Sequence, residues 1–303
     1  MGAVDGPCGL DVRARDFGLR GPRGWAFRGV TVDAGPGSLI AVEGPSGSGR
    51  TCLLLALTGR MKPTEGTAVV GGLGLPRQMA ALRRASALAH VPGVTDLDPA
   101  LTVAEHLRER ALLQRRFGDS LRGLLRPRAR RAAEAALRID RALAAAGLDR
   151  AALPKGSRTA VRDLERPEAL RLSVALALLG RPRLLGVDDA DLKLSAAERG
   201  ELWSLLGSIA ESGTTVVAVC TEAPEHAVTV STRPDDTPGT GSPAPGSPDE
   251  GAPGTGTPDG TPPDNDTPDD DTPDDDTPDD RPHGGSDDAP KEAGDALAEA
   301  GRA

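Results

Sequence analysis

The sequence predicts an α/β fold built on a buried sheet. Three observations carry this. Ser38–Glu43 has the apolar run of a buried strand, passes into the glycine-rich turn Gly44–Thr51, and continues as the apolar helical run Thr51–Thr58. Leu184–Val187 is a second apolar strand pattern, and it ends in two acids, Asp188 and Asp189. Between the two lies a long stretch of helical pattern, from Thr102 to about Ala146, which places inserted helices between the strands.

Taken in order, Leu10–Arg15 and Ala26–Val32 read as short strands joined by the turn-rich Arg20–Gly24. Pro63 and Gly66 punctuate the exit of the helix that follows the glycine-rich turn. Thr67–Val70 reads as the next strand, and Leu88–Val91 as an apolar strand ending at Pro92-Gly93. Thr102 and Glu105 have the spacing of a capping box, a second helix spans Arg128–Ala145, and Gly147 is its stop. Pro167–Leu179 and Ala196–Ser212 read as helices, and Thr214–Cys220 as a β-branched strand.

Composition divides the chain. From about Ser231 onward it turns to Pro, Gly, Thr and Asp, and Thr267–Asp271 repeats as Thr272–Asp276 and, ending in arginine, as Thr277–Arg281. Such a segment cannot bury enough apolar surface to offset the entropy of ordering, so 232–303 is expected to be a disordered acidic tail. Residues 1–9 are expected to be a flexible N-terminus, and 10–231 a folded domain whose helical insertion spans about 94–180. Of 45 acidic and 36 basic residues, the tail holds 20 and 4, which leaves the domain with 25 and 32, a net +7 beside a tail of −16.

Several function classes are disfavoured. Tyr is absent and Trp and Phe are few, so base-stacking platforms are lacking and no nucleic-acid partner is expected. Cys8, Cys52 and Cys220 have no metal-ligand spacing; Cys52 and Cys220 lie in apolar runs and read as small core residues of a reduced, cytoplasmic protein. The N-terminal sequence lacks a leader pattern, and no apolar run approaches the ~20 residues of a membrane span, so contact with a membrane is expected only through a partner.

The chemistry lies at the strand ends. Gly44-Pro45-Ser46-Gly47-Ser48-Gly49-Arg50-Thr51 has the pattern of a phosphate-binding P-loop (Walker A) with arginine where lysine is usual. Glycines let backbone N–H groups converge on phosphate oxygens, and the following helix adds its positive end, so the cradle is read as Gly44 through Cys52. A nucleoside triphosphate arrives with Mg²⁺, which needs a hydroxyl and a carboxylate; Thr51 and Asp188 supply them.

The segments 53–72, 101–107 and 175–189 resemble those of the ATP-binding cassette (ABC) subunits of membrane transporters, over about residues 10–225. The resemblance implies a P-loop NTPase fold of ABC-cassette type with a helical subdomain. It implies ATP and Mg²⁺ as ligands, a second cassette and an integral membrane permease as partners, and a place on the inner face of the cell membrane through that permease. It also implies a catalytic acid at Asp189, where the family has glutamate. Other motif positions depart from the family. Its Mg²⁺-sensing glutamine falls at about Gly93, its signature at Leu164–Glu168, its dimer-loop aspartate at Ser195 and its switch histidine at Thr221. Glu165 and Glu168 are expected to point toward, and repel, a phosphate held by a partner. The family's stacking aromatic falls near Gly21; Trp25 either substitutes for it or, the favoured reading, is core at the start of a strand. The resemblance therefore implies an ATP-binding subunit with slow or partner-assisted hydrolysis, or else a nucleotide-sensing or structural pseudo-ATPase.

Overall fold

The computed structural model describes residues 9–118 and 128–232. The expectations for residues 1–8, Cys8 among them, and for the tail from 233 onward lie outside the described residues.

β1 (Val12–Gly21) and β2 (Gly24–Ala34) form a long antiparallel hairpin, extended by β4 (Glu65–Val70) and β5 (Leu73–Leu75) into a sheet of order β2-β1-β4-β5. In β1, Val12 and Ala14 are buried while Arg13 and Arg15 are exposed. The alternation breaks at Asp16, whose φ of 49° accompanies a register shift, and Phe17, Gly18 and Leu19 after it are all buried. That bulge is why the strand runs beyond Arg15, where the sequence pattern ends.

The second sheet is parallel, in the order β6-β7-β8-β3-β9. Its strands are β3 (Leu39–Glu43), β6 (Ser86–Ala89), β7 (Leu184–Val187), β8 (Thr215–Val219) and β9 (Val228–Ser231). The central strands are buried on both faces, as their continuous apolar runs require. Ile40 and Val42 face one core with the antiparallel sheet and α1 (Arg50–Leu57). Leu39 and Ala41 face a second core with the helices of the inserted region and the helix Ala196–Glu211. α1 is thus packed between the two sheets.

The inserted region contains α3 (Val103–Gly118), α4 (Arg128–Ala145), two short 3₁₀ turns and α5 (Arg166–Leu178). α2 (Met79–Ala85) precedes β6, and α6 (Ala196–Glu211) precedes β8. The Thr102–Glu105 box forms: Thr102 N–H and Oγ1 both donate to Glu105 Oε2 at 2.7 Å. Three elements were not foreseen, β5, α2 and β9, each too short to show a period. Among the described residues, no helix is long and apolar enough to cross a membrane.

Candidate functional site

The parallel order brings the ends of β3, β8 and β7 side by side. The glycine-rich turn leaves β3 and enters α1, whose N-cap is Gly49 at φ 84°, with no side-chain cap and no acid in the first turn. A Cβ on Gly49 would lie 1.9 Å from the Ala26 carbonyl oxygen. The glycine is therefore required twice, for its left-handed backbone and for contact with β2. The opening N–H groups of α1 lack a side-chain acceptor, and the helix dipole adds positive charge, which together suit an anion.

The approach of α1 to β7 is set by Gly186. A Cβ there would meet Leu88 at 2.7 Å and Leu54 at 3.0 Å. With that space free, Thr51 Oγ1 donates to Asp188 Oδ2 at 2.8 Å, from the first turn of α1 to the end of β7. Asp188 is buried, 1% exposed. Burial pushes its pKa up, and the Asp189 charge adds to this, while the bonds from Thr51 and the Asp189 N–H and the Arg50 charge oppose it. A buried carboxylate held partly against its charge gains from a cation. A hydroxyl beside a carboxylate is a hard-oxygen pair suited to Mg²⁺. Among the described residues, no three His, Cys, Asp or Glu stand together as metal ligands. Two protein oxygens would leave the other positions of a six-coordinate Mg²⁺ to phosphate oxygens and water.

Other motif positions are occupied by internal bonds. Arg50 Nη1 donates to the Cys220 carbonyl at 2.6 Å, which draws the guanidinium onto the end of β8. Cys220 is buried, and its thiol is pushed up to about 12, by desolvation first. Cys52 is only partly buried, short of the core position expected for it. At the switch position, the Thr221 N–H donates to Asp191 Oδ2 at 2.8 Å. Asp191 is itself buried and also lies 3.4 Å from the Glu222 nitrogen. Ser195 caps α6 in a reciprocal pair with Glu198. The Gly93 N–H donates to Asp96 Oδ2 at 2.9 Å. Asp189 takes a left-handed backbone, φ 44°.

Two further readings change with the structure. Glu168 is not a free carboxylate: its Oε2 accepts the Glu165 N–H at 2.9 Å and closes the N-terminus of its own helix. Trp25 is not core, being 41% exposed. Its ring lies over Gly18, with the Arg28 and Arg20 guanidinium carbons 4.8 and 5.7 Å from its centroid. The bulged hairpin carries it to the outer surface of the antiparallel sheet.

Sequence reasoning missed Asp191, His90 and Thr232. Asp191 is the third acid in Asp188-Asp189-Ala190-Asp191, and that run was the available signal. His90 follows β6 and meets Arg166. Thr232 follows β9, hydrogen-bonds the Ser48 hydroxyl and the Glu43 carbonyl, and has no sequence signature.

An uncapped glycine-loop helix facing a Thr–Asp pair across a parallel sheet defines a nucleotide-binding protein of the P-loop class. The family model described as ABC transporter matches residues 27–191, and the chain belongs to that family, as an ATP-binding cassette. It is 31% identical over 188 residues to Nod factor export ATP-binding protein I of Cupriavidus metallidurans, covering 62% of this chain and 55% of that protein. It is 30% identical over 212 residues to an ABC transporter ATP-binding/permease protein of Mycobacterium tuberculosis, covering 70% of this chain and 22% of that one. The chain thus spans about half or less of the length of these relatives. Solved structures agree in fold. One is cbiO1 from Clostridium perfringens, part of the cbiONQ transporter complex (TM-score 0.56, 18% identity, 70% of this chain and 78% of that). Another is a dimeric bacterial ABC transporter cassette (TM-score 0.54, 21% identity, 70% and 88%).

Proposed function

We propose that this chain is the ATP-binding subunit of an ABC-type transporter, binding Mg·ATP and hydrolysing it slowly or with a partner's assistance. The observation that carries the reading is the Thr51–Asp188 pair at 2.8 Å beside an uncapped helix N-terminus. In this reading the backbone N–H groups of Gly47–Thr51 hold the phosphates, and Thr51 and Asp188 hold the metal. Bound Mg²⁺ neutralises phosphate charge and polarises the terminal phosphoryl group. Asp189, at the lip of the sheet, accepts the proton of the attacking water.

Two features support slow turnover. Arg50 must leave the Cys220 carbonyl before it reaches a phosphate. Asp191 holds Thr221 in place, so no histidine or mobile side chain serves at that position. The same observations favour a second reading, a cassette that binds and senses nucleotide without turning it over.

Partners enter through two surfaces. In a head-to-tail pair of cassettes, the cradle of this chain faces the partner's signature segment. The partner's cradle meets Leu164–Glu168, which offers a self-capped helix. A cleft of about 260 Å³ lies between the end of β6, the 94–97 loop, α3 and α5, lined by Val94, Leu97, His106, Arg110 and Leu113 among others. Exposed Val94 and Leu113 give its mouth an apolar surface that would receive a cytoplasmic helix of a permease, which would place the subunit on the inner face of the membrane. Arg110 turns inward to the Leu176 carbonyl at 3.3 Å, leaving exposed Arg108 as the arginine of this helix open to lipid headgroups; the side chains of Arg115 and Arg116 lie outside the described residues.

Titration with a fluorescent ATP analogue tests the binding, and phosphate release with and without a co-purified permease tests the turnover. Saturable, Mg²⁺-dependent binding is expected. Its absence at millimolar nucleotide overturns both readings, whereas binding without turnover in the permease complex selects the second.

A further inference from the structure

The register of β6 on β7, Ala89 beside Val187, sets His90 in the row next to Asp188. His90 and Asp189 both carry left-handed backbones, φ 47° and 44°, at the ends of adjacent strands. Such a conformation is costly for a residue with a Cβ, and it persists where surrounding contacts hold it. The contacts at His90 are visible. Arg166, in the first turn of α5, donates from Nε to the Leu192 carbonyl at 2.6 Å and brings Nη2 to 3.4 Å from His90 Nε2.

A guanidinium has only donors, so Nε2 must be the accepting nitrogen and the ring proton lies on Nδ1. Burial and then the Arg166 charge hold the His90 pKa below its ordinary value, against the opposing pull of Asp189 and Asp96. His90 is accordingly a neutral ring with one N–H donor to offer, locked in orientation, at the lip of the sheet that carries Asp188 and Asp189.

We propose that His90, fixed by Arg166, is a positioning residue for Asp189, its Nδ1–H holding the carboxylate that faces the attacking water. This rests on the hydrolytic reading above. In that step the water oxygen bonds to the terminal phosphorus, its proton passes to Asp189, and the electron pair of the broken P–O bond leaves on ADP. An aspartate is one methylene shorter than glutamate and needs a fixed orientation for the same task. Gly93 brings no side chain, and Thr221 is bound to Asp191. Among the described residues His90 Nδ1 makes no hydrogen bond, which leaves that N–H available to the Asp189 carboxylate.

The test uses two variants of the full chain that both tolerate the left-handed backbone. His90→Gly removes the ring and relieves strain; His90→Asn keeps an amide donor near the place of Nδ1. Mg·ATP turnover and half-saturating ATP are measured with melting temperature. The expected result is turnover lowered about 10-fold or more in His90→Gly, with half-saturating ATP unchanged and melting temperature equal or higher. His90→Asn should retain most of the wild-type rate. Wild-type turnover in His90→Gly, or equal loss in both variants, overturns the proposal alone. A wild type that binds Mg·ATP and never turns it over, with its partners present, overturns the hydrolytic reading as well.

Discussion

The N-termini of α1 and α5 are two solutions to one problem. Each helix begins with N–H groups that need acceptors. α1 starts at Gly49 with no side-chain cap and no acid. α5 starts with Glu165 and Glu168 closing on each other's backbone. In a cassette dimer both ends are expected to meet phosphate, one from each subunit. Here one end remains open to an anion, and the other has taken its anions from its own chain. A helix N-terminus can be closed to an outside anion without any disorder; it needs only an internal acceptor.

The largest effect should come from filling the open end. Gly49→Ala forces a Cβ against the Ala26 carbonyl at a left-handed backbone. The expected cost is about 3 kcal/mol, read as a melting temperature about 6–12 °C lower, together with loss of ATP-analogue binding. A variant that binds normally would break the comparison.

Next is Asp188→Asn, which separates function from stability. The folded pKa of Asp188 is raised, so its ionised form is disfavoured by the fold. Stability from this group therefore increases as pH falls through the raised pKa, and the gain is complete below its unfolded value. A neutral side chain takes that gain at every pH. The variant should melt higher than the ligand-free wild type at pH 7, lose that advantage in acid, and show ATP-analogue binding that no longer responds to Mg²⁺. Calorimetry across pH checks the first two, and an analogue titration with and without Mg²⁺ the third.

A smaller effect is expected for Arg50→Lys. It removes the bond to the Cys220 carbonyl, worth about 1–2 kcal/mol, and leaves a compact cation free for the cradle. Melting temperature should fall slightly while ATP affinity rises several-fold. Unchanged affinity would show that the arginine already reaches the phosphates when they bind.

The smallest change belongs to the closed end. Glu168→Ala opens the α5 N-terminus at a cost of about 1 kcal/mol, a melting temperature lower by about 2–4 °C. Binding at this chain's own cradle should not change, since in the proposed head-to-tail pair the two ends meet different nucleotides.

Much of this was legible in the sequence, and the limits have physical causes. Gly44–Thr51 and Leu184–Asp189 were readable because a glycine turn and a buried parallel strand impose composition directly. Thr51 and Asp188 were paired from chemistry alone, and the 2.8 Å bond between them follows from the space at Gly186. The self-capping of α5 was misread because Glu165 and Glu168 were placed by charge, without asking where the opening N–H groups find acceptors. Trp25 was misread because the register shift between Leu19 and Arg20, opposite Phe27 and Trp25, breaks the alternation that would put Trp25 on the buried face with Phe27. His90, Asp191 and Thr232 were missed because each acts through partners 30 to 190 positions away, as in the Arg166–His90, Thr221–Asp191 and Thr232–Glu43 bonds.

The bond between Ser48 and Thr232 joins residues 184 positions apart, and this gives the cradle a place in time as well as in space. During synthesis the glycine turn leaves the ribosome well before the strand that braces it, β9, is made. Contacts so distant in sequence form late. A nascent chain therefore carries its phosphate loop unbraced while those 184 positions are made, and nucleotide capture by stalled chains should begin only once Thr232 has emerged. Until then, cellular ATP has little hold on the unfinished protein.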